Sequence, residues 1–530
     1  MTLKASSTTF SAPGPAPIPA GSRLRVDKLC VAIQADSPAE LVGRAEAALA
    51  DSKFLEFRLD SLPKPAAALP KVKEFLAQHR EATVIATCRR KRFGGHFKAS
   101  LKAELEILAE FAEASCQIVD LEVESAEEAA PRQWEQLRAR LREAGTALLV
   151  SSHDFTRTRS LGGLEQVAER IEAFQPDFVK VVTTARSLAD NLAVLKMIES
   201  RSLTSHVVGI AMGEEGLVSR VLGPRAGAAF TFASFADGGE TAPGQVSTRI
   251  LRDLYRVEQL DQATRIFGVA GNPIAHSLSP LMHSTAFRRQ NVNAILLPLK
   301  VRVLADLLTL ARELPLAGVA VTMPLKQEVL PHLANSDPLT AKIGACNTLR
   351  TGADGKLYGF NTDVAGVIRP LEKRLKLEGA RIAVIGAGGA ARAAVFGLVN
   401  QGAEVFVVNV IHEQAVALAR KAKAKVLKQE QFAKNRFDVL INATPCGMAG
   451  NKQPLPIAEN ELNAGLVFDM VYNPLETPLL KLAKERGIPV ISGMEMFVQQ
   501  GARQFEIWTG KPAPEAEMMR VVELELRRRG

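Results

Sequence analysis

Asp177-Phe178-Val179-Lys180-Val181-Val182-Thr183-Thr184 reads as an apolar, strand-like run with a lysine in its middle. Burying an ammonium is costly unless it is paired or gives up its proton. A desolvated lysine is therefore a candidate amine nucleophile, able to form a Schiff base with a ketone. The alternative is an edge-strand lysine whose stem reaches out to water.

Seven similar runs lie around it, at 28–34, 54–60, 82–89, 116–123, 146–152, 206–212 and 228–235. Helical patterns such as 101–115 and 164–174 separate them. Strand–helix alternation implies parallel pairing, and eight such units over about 230 residues match the size of a (β/α)8 barrel. Barrel sites are built at the C-terminal ends of the strands and in the loops that follow. Glu56, Arg58 and Asp60 alternate along the second run and are expected on one face. Arg89 closes the third run, Glu122 lies on the fourth, His153 follows the fifth, and Arg220 and Gln245 follow the seventh and eighth. Scattered surface charge would not converge on one end in this way. His153 alone is an ordinary loop histidine; within reach of Lys180 it is a candidate general acid/base.

At 530 residues the chain exceeds one ordinary core, and its 47% hydrophobic and 23% charged content describes a globular protein. The five cysteines (30, 88, 116, 346, 446) show no CxxC spacing and no clustering with histidine. That argues against a metal and for a reducing, cytoplasmic setting. No apolar run is long enough to span a membrane. Residues 1–24, rich in Ala, Pro, Ser and Thr, are expected to form a disordered tail. A net charge of +9 fits either nucleic acid or anionic small molecules. Without an aromatic-interleaved basic ribbon, small anions are the better reading.

The motifs EFRLD (56–60), TCR (87–89), SSHDF (151–155), DFVK (177–180), AMGEEGLVSR (211–220) and TAPGQ (241–245) make residues 25–258 resemble type I 3-dehydroquinate dehydratase. The resemblance implies that Lys180 forms an imine with the substrate ketone and that His153 is the acid/base. Arg58, Arg89, Arg220 and Gln245, with Glu56 and Thr241, would hold the carboxylate and hydroxyls. One departure stands out: Phe93 occupies the place of a family glutamate just before Gly94-Gly95. His96 and Glu56 are the residues left to orient the histidine in its stead.

After a polar, helical connector at 256–265, the run Arg381 to Ile385 leads into Gly386-Ala387-Gly388-Gly389-Ala390-Ala391-Arg392. A helix and a second apolar strand ending at Asn409 follow. A glycine pattern between strand and helix is a dinucleotide fingerprint, with the pyrophosphate drawn to the helix N-terminus. Asn409-Val410-Ile411 lacks the carboxylate that would grip the ribose of NAD. NADP is therefore expected, with NAD the alternative. Arg392, Arg420 and Lys421, Lys423 and Lys425 are the candidate cations for its extra phosphate. Hydroxyls and amides at Ser277, Ser279, Thr322, Asn347 and Thr348 suit a polyhydroxylated ligand, and a Lys326–Asp363 pair suits proton transfer.

NPIAHSLSP (272–280), VTMPLK (321–326), GACNTL (344–349), GFNTD (359–363), INATPCGM (441–448) and DMVYNP (469–474) make this half similar to shikimate dehydrogenase. The resemblance implies a two-domain dehydrogenase: a substrate-binding part (265–365, closed by helices at 493–529) and a C-terminal Rossmann part (366–492). It makes Lys326 and Asp363 the catalytic pair. Ser277, Ser279, Thr322, Asn347, Tyr472 and Gln500 would contact substrate. The nucleotide would meet Gly386, Ala387, Gly388, Gly389, Ala390, Asn409, Asn442, Thr444, Met470 and Gly493. The family's asparagine two positions before the threonine is Ala320 here. The whole chain is thus expected to be an α/β bifunctional enzyme of the shikimate pathway. It would dehydrate 3-dehydroquinate and reduce the product to shikimate, as a monomer or homodimer. A quinate/shikimate dehydrogenase of quinate catabolism and a non-catalytic quinate-pathway regulator are the alternatives.

Overall fold

The computed structural model describes residues 26–235, 241–242, 244–432, 434–451, 453 and 455–529; the tail expected at 1–24 lies outside them. The chain divides into two compact units, Met1–Gln262 and Ala263–Gly530.

In the first unit the eight expected strands are all present: β1 (Leu29–Ile33), β2 (Phe54–Arg58), β3 (Thr83–Thr87), β4 (Ile118–Glu122), β5 (Ala147–His153), β6 (Phe178–Thr184), β7 (His206–Met212) and β8 (Thr231–Ser234). They pair in parallel in the order β7-β6-β5-β4-β3-β2-β1-β8. Between β7 and β8 the Ala229 amide donates to the Val207 carbonyl at 2.8 Å, so the barrel is nearly closed. Each outer helix presents an apolar stripe. In Leu101–Glu113, begun by the Ser100 cap, Leu105, Leu108 and Phe111 recur at helical spacing and are buried. Loss of Leu108 to alanine would cost about 2–5 kcal/mol.

The interior is layered. Period-two alternation turns Phe54, Ile118, Leu149, Phe178 and Val208 inward as an apolar floor. The same parity, one or two steps further along, turns Glu56, Asp120, Glu122, Ser151, His153 and Lys180 inward at the C-terminal end. The alternation expected to reach Asp60 stops at Arg58, because Leu59–Ser61 turns into a 3-10 segment. The expected helical connector is also shorter than the sequence pattern implies. Only Val257–Gln259 forms a 3-10 turn, and it follows Arg256, whose positive φ of 52° interrupts helical geometry.

The second unit holds two sheets. One comprises β9 (Arg265–Gly271), β10 (Ala294–Lys300), β11 (Leu316–Val321), β12 (Asn335–Ser336), β13 (Thr348–Thr351) and β14 (Leu357–Phe360), in the order β10-β9-β11-β13-β14-β12. The other comprises β15 (Arg381–Ile385), β16 (Glu404–Val408), β17 (Lys425–Val426), β18 (Phe437–Asn442), β19 (Ala464–Asp469) and β20 (Val490–Ile491), parallel throughout in the order β17-β16-β15-β18-β19-β20. The chain leaves β15 on one side and returns on the other, which opens a crevice at the strand ends where doubly wound sheets bind ligands. The helices Gly493–Thr509 and Glu515–Arg529 pack back on the first sheet, burying Val498, Phe505, Trp508 and Val522 with Phe267 and Met282. Trp508 stacks on Phe267 at 4.9 Å and donates from Nε1 to the Leu349 carbonyl at 2.9 Å.

Candidate active sites

A cavity of about 190 Å3 opens at the C-terminal end of the barrel. Glu56, Arg58, Arg89, His153, Lys180, Arg220, Thr241 and Gln245 all line it. The structure thus brings these eight together, while Asp60, His96 and Glu122, also named from the sequence, lie outside the lining. Lys180 is 4% exposed, and its Nζ donates to Asp120 Oδ2 at 2.8 Å, lies 3.8 Å from Glu56 Oε1 and sits 4.2 Å above the Phe232 ring. Of the two ways to bury an ammonium, this one is paired. His153 Nδ1 lies 2.9 Å from Glu122 Oε2, and Phe155 stacks on the imidazole at 5.9 Å. Gly94 leaves room for that ring, since a Cβ there would come within 2.2 Å of it.

The charges interlock. Arg89 donates to Asp120 at 3.1 Å, and Ser151 Oγ lies 2.5 Å from Asp120 and 3.1 Å from Glu122. Arg89 Nε is 3.1 Å from Glu122 Oε2 but is not aimed at it, so that contact is electrostatic rather than a hydrogen bond. Burial alone would raise the Asp120 carboxyl; Lys180 and Arg89 override it and hold the group below the usual carboxylate range. Burial pushes Glu122 up to about 7 despite Arg89. His153 is lowered well below the ordinary imidazole range by burial, with Arg89 and Lys180 adding to it. Burial likewise brings Arg220 down to about 10; it donates to the Phe232 carbonyl and faces no carboxylate among the described residues.

Several residues differ from their expected parts. Asp60 leaves the strand face and serves Arg58, which it holds by two bonds at 2.9 and 3.0 Å. His96 lies 3.5 Å from Asp60, and Glu56 accepts from Thr87 at 2.8 Å; neither replaces the glutamate absent at Phe93. Glu122 holds the histidine instead. Asp120, Ser151 and Phe155 were not singled out in the sequence. For Asp120 the signal was there: an acid two residues before Glu122 in an apolar run shares its inward face.

In the second unit, Lys326 Nζ donates to Asp363 Oδ2 at 2.5 Å and Asn347 Nδ2 donates to Asp363 Oδ1 at 2.8 Å. Ser277, Ser279 and Thr322 follow the parallel neighbours β9 and β11, and the Asn272 amide joins their loops by donating to the Met323 carbonyl at 3.1 Å. Tyr472 stacks on Phe497 at 4.9 Å, and Gln500 donates to the Phe497 carbonyl at 2.8 Å. Ala320 lies on β11 and is buried.

The expected nucleotide residues stand at the ends of β15, β16, β18, β19 and, for Gly493, β20. Gly386, at φ +118°, approaches the Ala443 carbonyl to 3.0 Å from where a Cβ would sit. Ala387 packs at the edge of the core, while Gly388 caps the twelve-residue helix Gly389–Asn400 with no side-chain cap. Nothing lies within 4 Å of a Cβ built at Gly388, and one at Gly389 would meet only Lys326 Cδ, at 3.8 Å, so the start of this helix has the room that a pyrophosphate at a helix N-terminus needs. Asn442 accepts from Thr444 and donates to buried Asp469, and its carbonyl takes the Met470 amide; Gly493 packs on the Met470 and Val471 carbonyls. Asn409 bonds the Ile411 carbonyl and Gln414. Of the cations expected for a 2′-phosphate, Arg392 donates to the Ile343 carbonyl, Lys425 pairs with Glu404, and Arg420, Lys421 and Lys423 lie at the far end of the helix that follows Ile411.

Among the described residues, no group of metal-ligating side chains and no helix long and apolar enough to cross a membrane is found. Residues 29–262 match the family model for type I 3-dehydroquinase. Residues 269–349 match the shikimate dehydrogenase substrate-binding domain, 370–451 the shikimate/quinate 5-dehydrogenase model and 493–523 the shikimate 5′-dehydrogenase C-terminal domain. A bifunctional 3-dehydroquinate dehydratase/shikimate dehydrogenase, chloroplastic, from Arabidopsis thaliana is 33% identical over 506 residues, covering 92% of this chain and 82% of that one. An NADP(+) shikimate dehydrogenase from Methanosarcina acetivorans is 42% identical over 275 residues, covering 49% of this chain and 98% of that one. The crystal structure of shikimate 5-dehydrogenase from Thermus thermophilus with NADP(H) and shikimate is 34% identical, covers 49% of this chain and 99% of that one, and has a TM-score of 0.46. The chain belongs to the family of bifunctional 3-dehydroquinate dehydratase/shikimate dehydrogenases.

Proposed function

We propose that the first unit dehydrates 3-dehydroquinate to 3-dehydroshikimate through an imine on Lys180, and that the second reduces that product to shikimate with NADPH. The observation that carries the reading is Lys180 buried at the barrel's C-terminal end, paired with Asp120 and facing a cavity shared with His153. Once unprotonated, the amine adds to the ketone carbon; loss of water from the adduct leaves an imine that acidifies the neighbouring C–H. His153 removes that proton and returns it to the departing hydroxyl, which leaves as water. A second water then hydrolyses the imine and frees Lys180. Arg220, unpaired among the described residues, takes the substrate carboxylate. Arg58, Arg89, Glu56, Thr241 and Gln245 bind its hydroxyls.

In the second unit the helix N-terminus at Gly388 to Ala390 would hold the pyrophosphate, with Asn409, Thr444 and Met470 along the crevice; NADPH supplies the hydride when bound. Lys326 gives a proton to the oxygen that becomes the alcohol, and Asp363 fixes the ammonium while Asn347 fixes Asp363. Domain limits of 25–258, 265–365 with 493–529, and 366–492 go with this reading. Five unpaired cysteines support a cytoplasmic setting, and the monomer or homodimer is the assembly we adopt. The test is to incubate the pure chain with 3-dehydroquinate and each reduced nicotinamide. Enone absorbance and NADPH consumption are expected; neither signal appearing would sink the reading.

A further inference from the structure

We propose that Glu122 is the positioning residue of the barrel site, fixing the His153 imidazole so that its second nitrogen faces the cavity. The inference rests on the dehydratase reading above. Glu122 holds His153 at two points: its Oε1 accepts the His153 backbone amide at 2.9 Å, and its Oε2 lies 2.9 Å from Nδ1. Bonded through both main chain and ring, the histidine cannot turn without breaking one contact. Nδ1 is the engaged nitrogen, so Nε2 is the one left to the cavity that His153 lines.

The surroundings assign the protons. Ser151 has one hydroxyl proton and two carboxylates within reach, Asp120 at 2.5 Å and Glu122 at 3.1 Å. Donation to the nearer Asp120 leaves Glu122 to accept Nδ1–H, the tautomer in which Nε2 is a base. Asp120 is at the same time the partner of Lys180, so Ser151 joins the holder of the nucleophile to the holder of the base. No other carboxylate reaches His153 among the described residues. The Arg90 and Arg92 guanidinia lie 5.0 and 4.6 Å from the centre of the Phe93 ring. A carboxylate on the strand thus does what the loop residue at 93 does not.

The test uses the full chain and separates imine formation from proton abstraction. In Glu122→Ala, kcat for dehydration is expected to fall about 100-fold, with KM within about three-fold of the parent by the same limits of positioning. Borohydride with 3-dehydroquinate still traps a Lys180 adduct, because Asp120 is untouched. In Glu122→Gln the amide oxygen accepts Nδ1–H, and kcat recovers about ten-fold or more over the alanine variant. Glu122→Asp keeps the charge but loses reach, and is expected to be as slow as alanine. An alanine or aspartate variant within three-fold of the parent, or a glutamine variant no faster than alanine, overturns the proposal. Should the alanine variant fail to fold, seen as loss of the trapped adduct, the glutamine–aspartate pair decides alone. A parent chain that neither turns over nor is trapped would instead refute the dehydratase reading itself.

Discussion

Each half of the chain pairs one lysine with one aspartate, and the two pairs live in different surroundings. Lys180 and Asp120 are sealed, with side chains 5% and 0% exposed, inside a ring of further charges. Lys326 and Asp363 have 22% and 7% exposure, and Asp363 accepts in addition from the Asn347 amide. A lysine that makes a covalent bond needs an enclosed site, with partners that manage its proton. A lysine that lends a proton to an alkoxide must exchange it with water, and partial exposure suits that. On the proposed reading the same residue pair serves two chemistries, and burial separates them.

The sharpest way to break this comparison is to remove each lysine in turn. Lys180→Met is expected to cost dehydration roughly 10⁴-fold or more. It should abolish the borohydride-trapped mass increment and leave shikimate formation from supplied 3-dehydroshikimate unchanged. Lys326→Ala should cost the reductase about 10²–10³-fold with no change in dehydration. A Lys326→Ala chain that loses dehydration would show that the two activities are not separable. The pH profile divides the sites next. Burial raises Glu122 to about 7 and lowers His153, and the two titrate as one pair. Above that range the pair carries one proton, and Nε2 is free to act as base. As pH falls through it a second proton enters and the base is lost, so dehydration kcat/KM should drop about five-fold between pH 7 and 6. Stopped assays of both activities in one buffer series check this; a flat dehydration profile over that window contradicts it. Smallest is Phe155→Ala, which removes a ring stacked on His153. About 2–10-fold in dehydration kcat is expected, in line with the roughly 0.5–1.5 kcal/mol of such a contact.

Much of this was legible in the sequence, for definite reasons. The inward parity that places Lys180 with Phe178 and Val182 follows from alternation, and so do the polar ends of β2, β4 and β5. The glycine turn between β15 and its helix was legible because few other patterns supply open amides there. The inward face of Asp120 was legible in the same way, but its pairing with Lys180 was not, because a partner on a strand two places away in the barrel is a matter of register rather than of local pattern. The role of Glu122 was hidden for the same reason: it depends on the facing positions of β4 and β5. Arg392 shows the opposite failure. Its closeness in sequence to the glycine turn suggested a phosphate ligand, yet its guanidinium goes to the Ile343 carbonyl.

Arg220 has a thermodynamic consequence. It is 2% exposed, with Nε unpartnered and no carboxylate facing it among the described residues. The barrel therefore carries a buried cation that no protein carboxylate faces, and its folding free energy is lower than its apolar packing alone would give. An anionic ligand that settles on Arg220 and binds only the folded chain adds ligand-linked stability, about 2.7 kcal/mol at a hundred times its Kd. The melting temperature of the barrel is thus itself a sensor of carboxylate ligands, readable without any turnover.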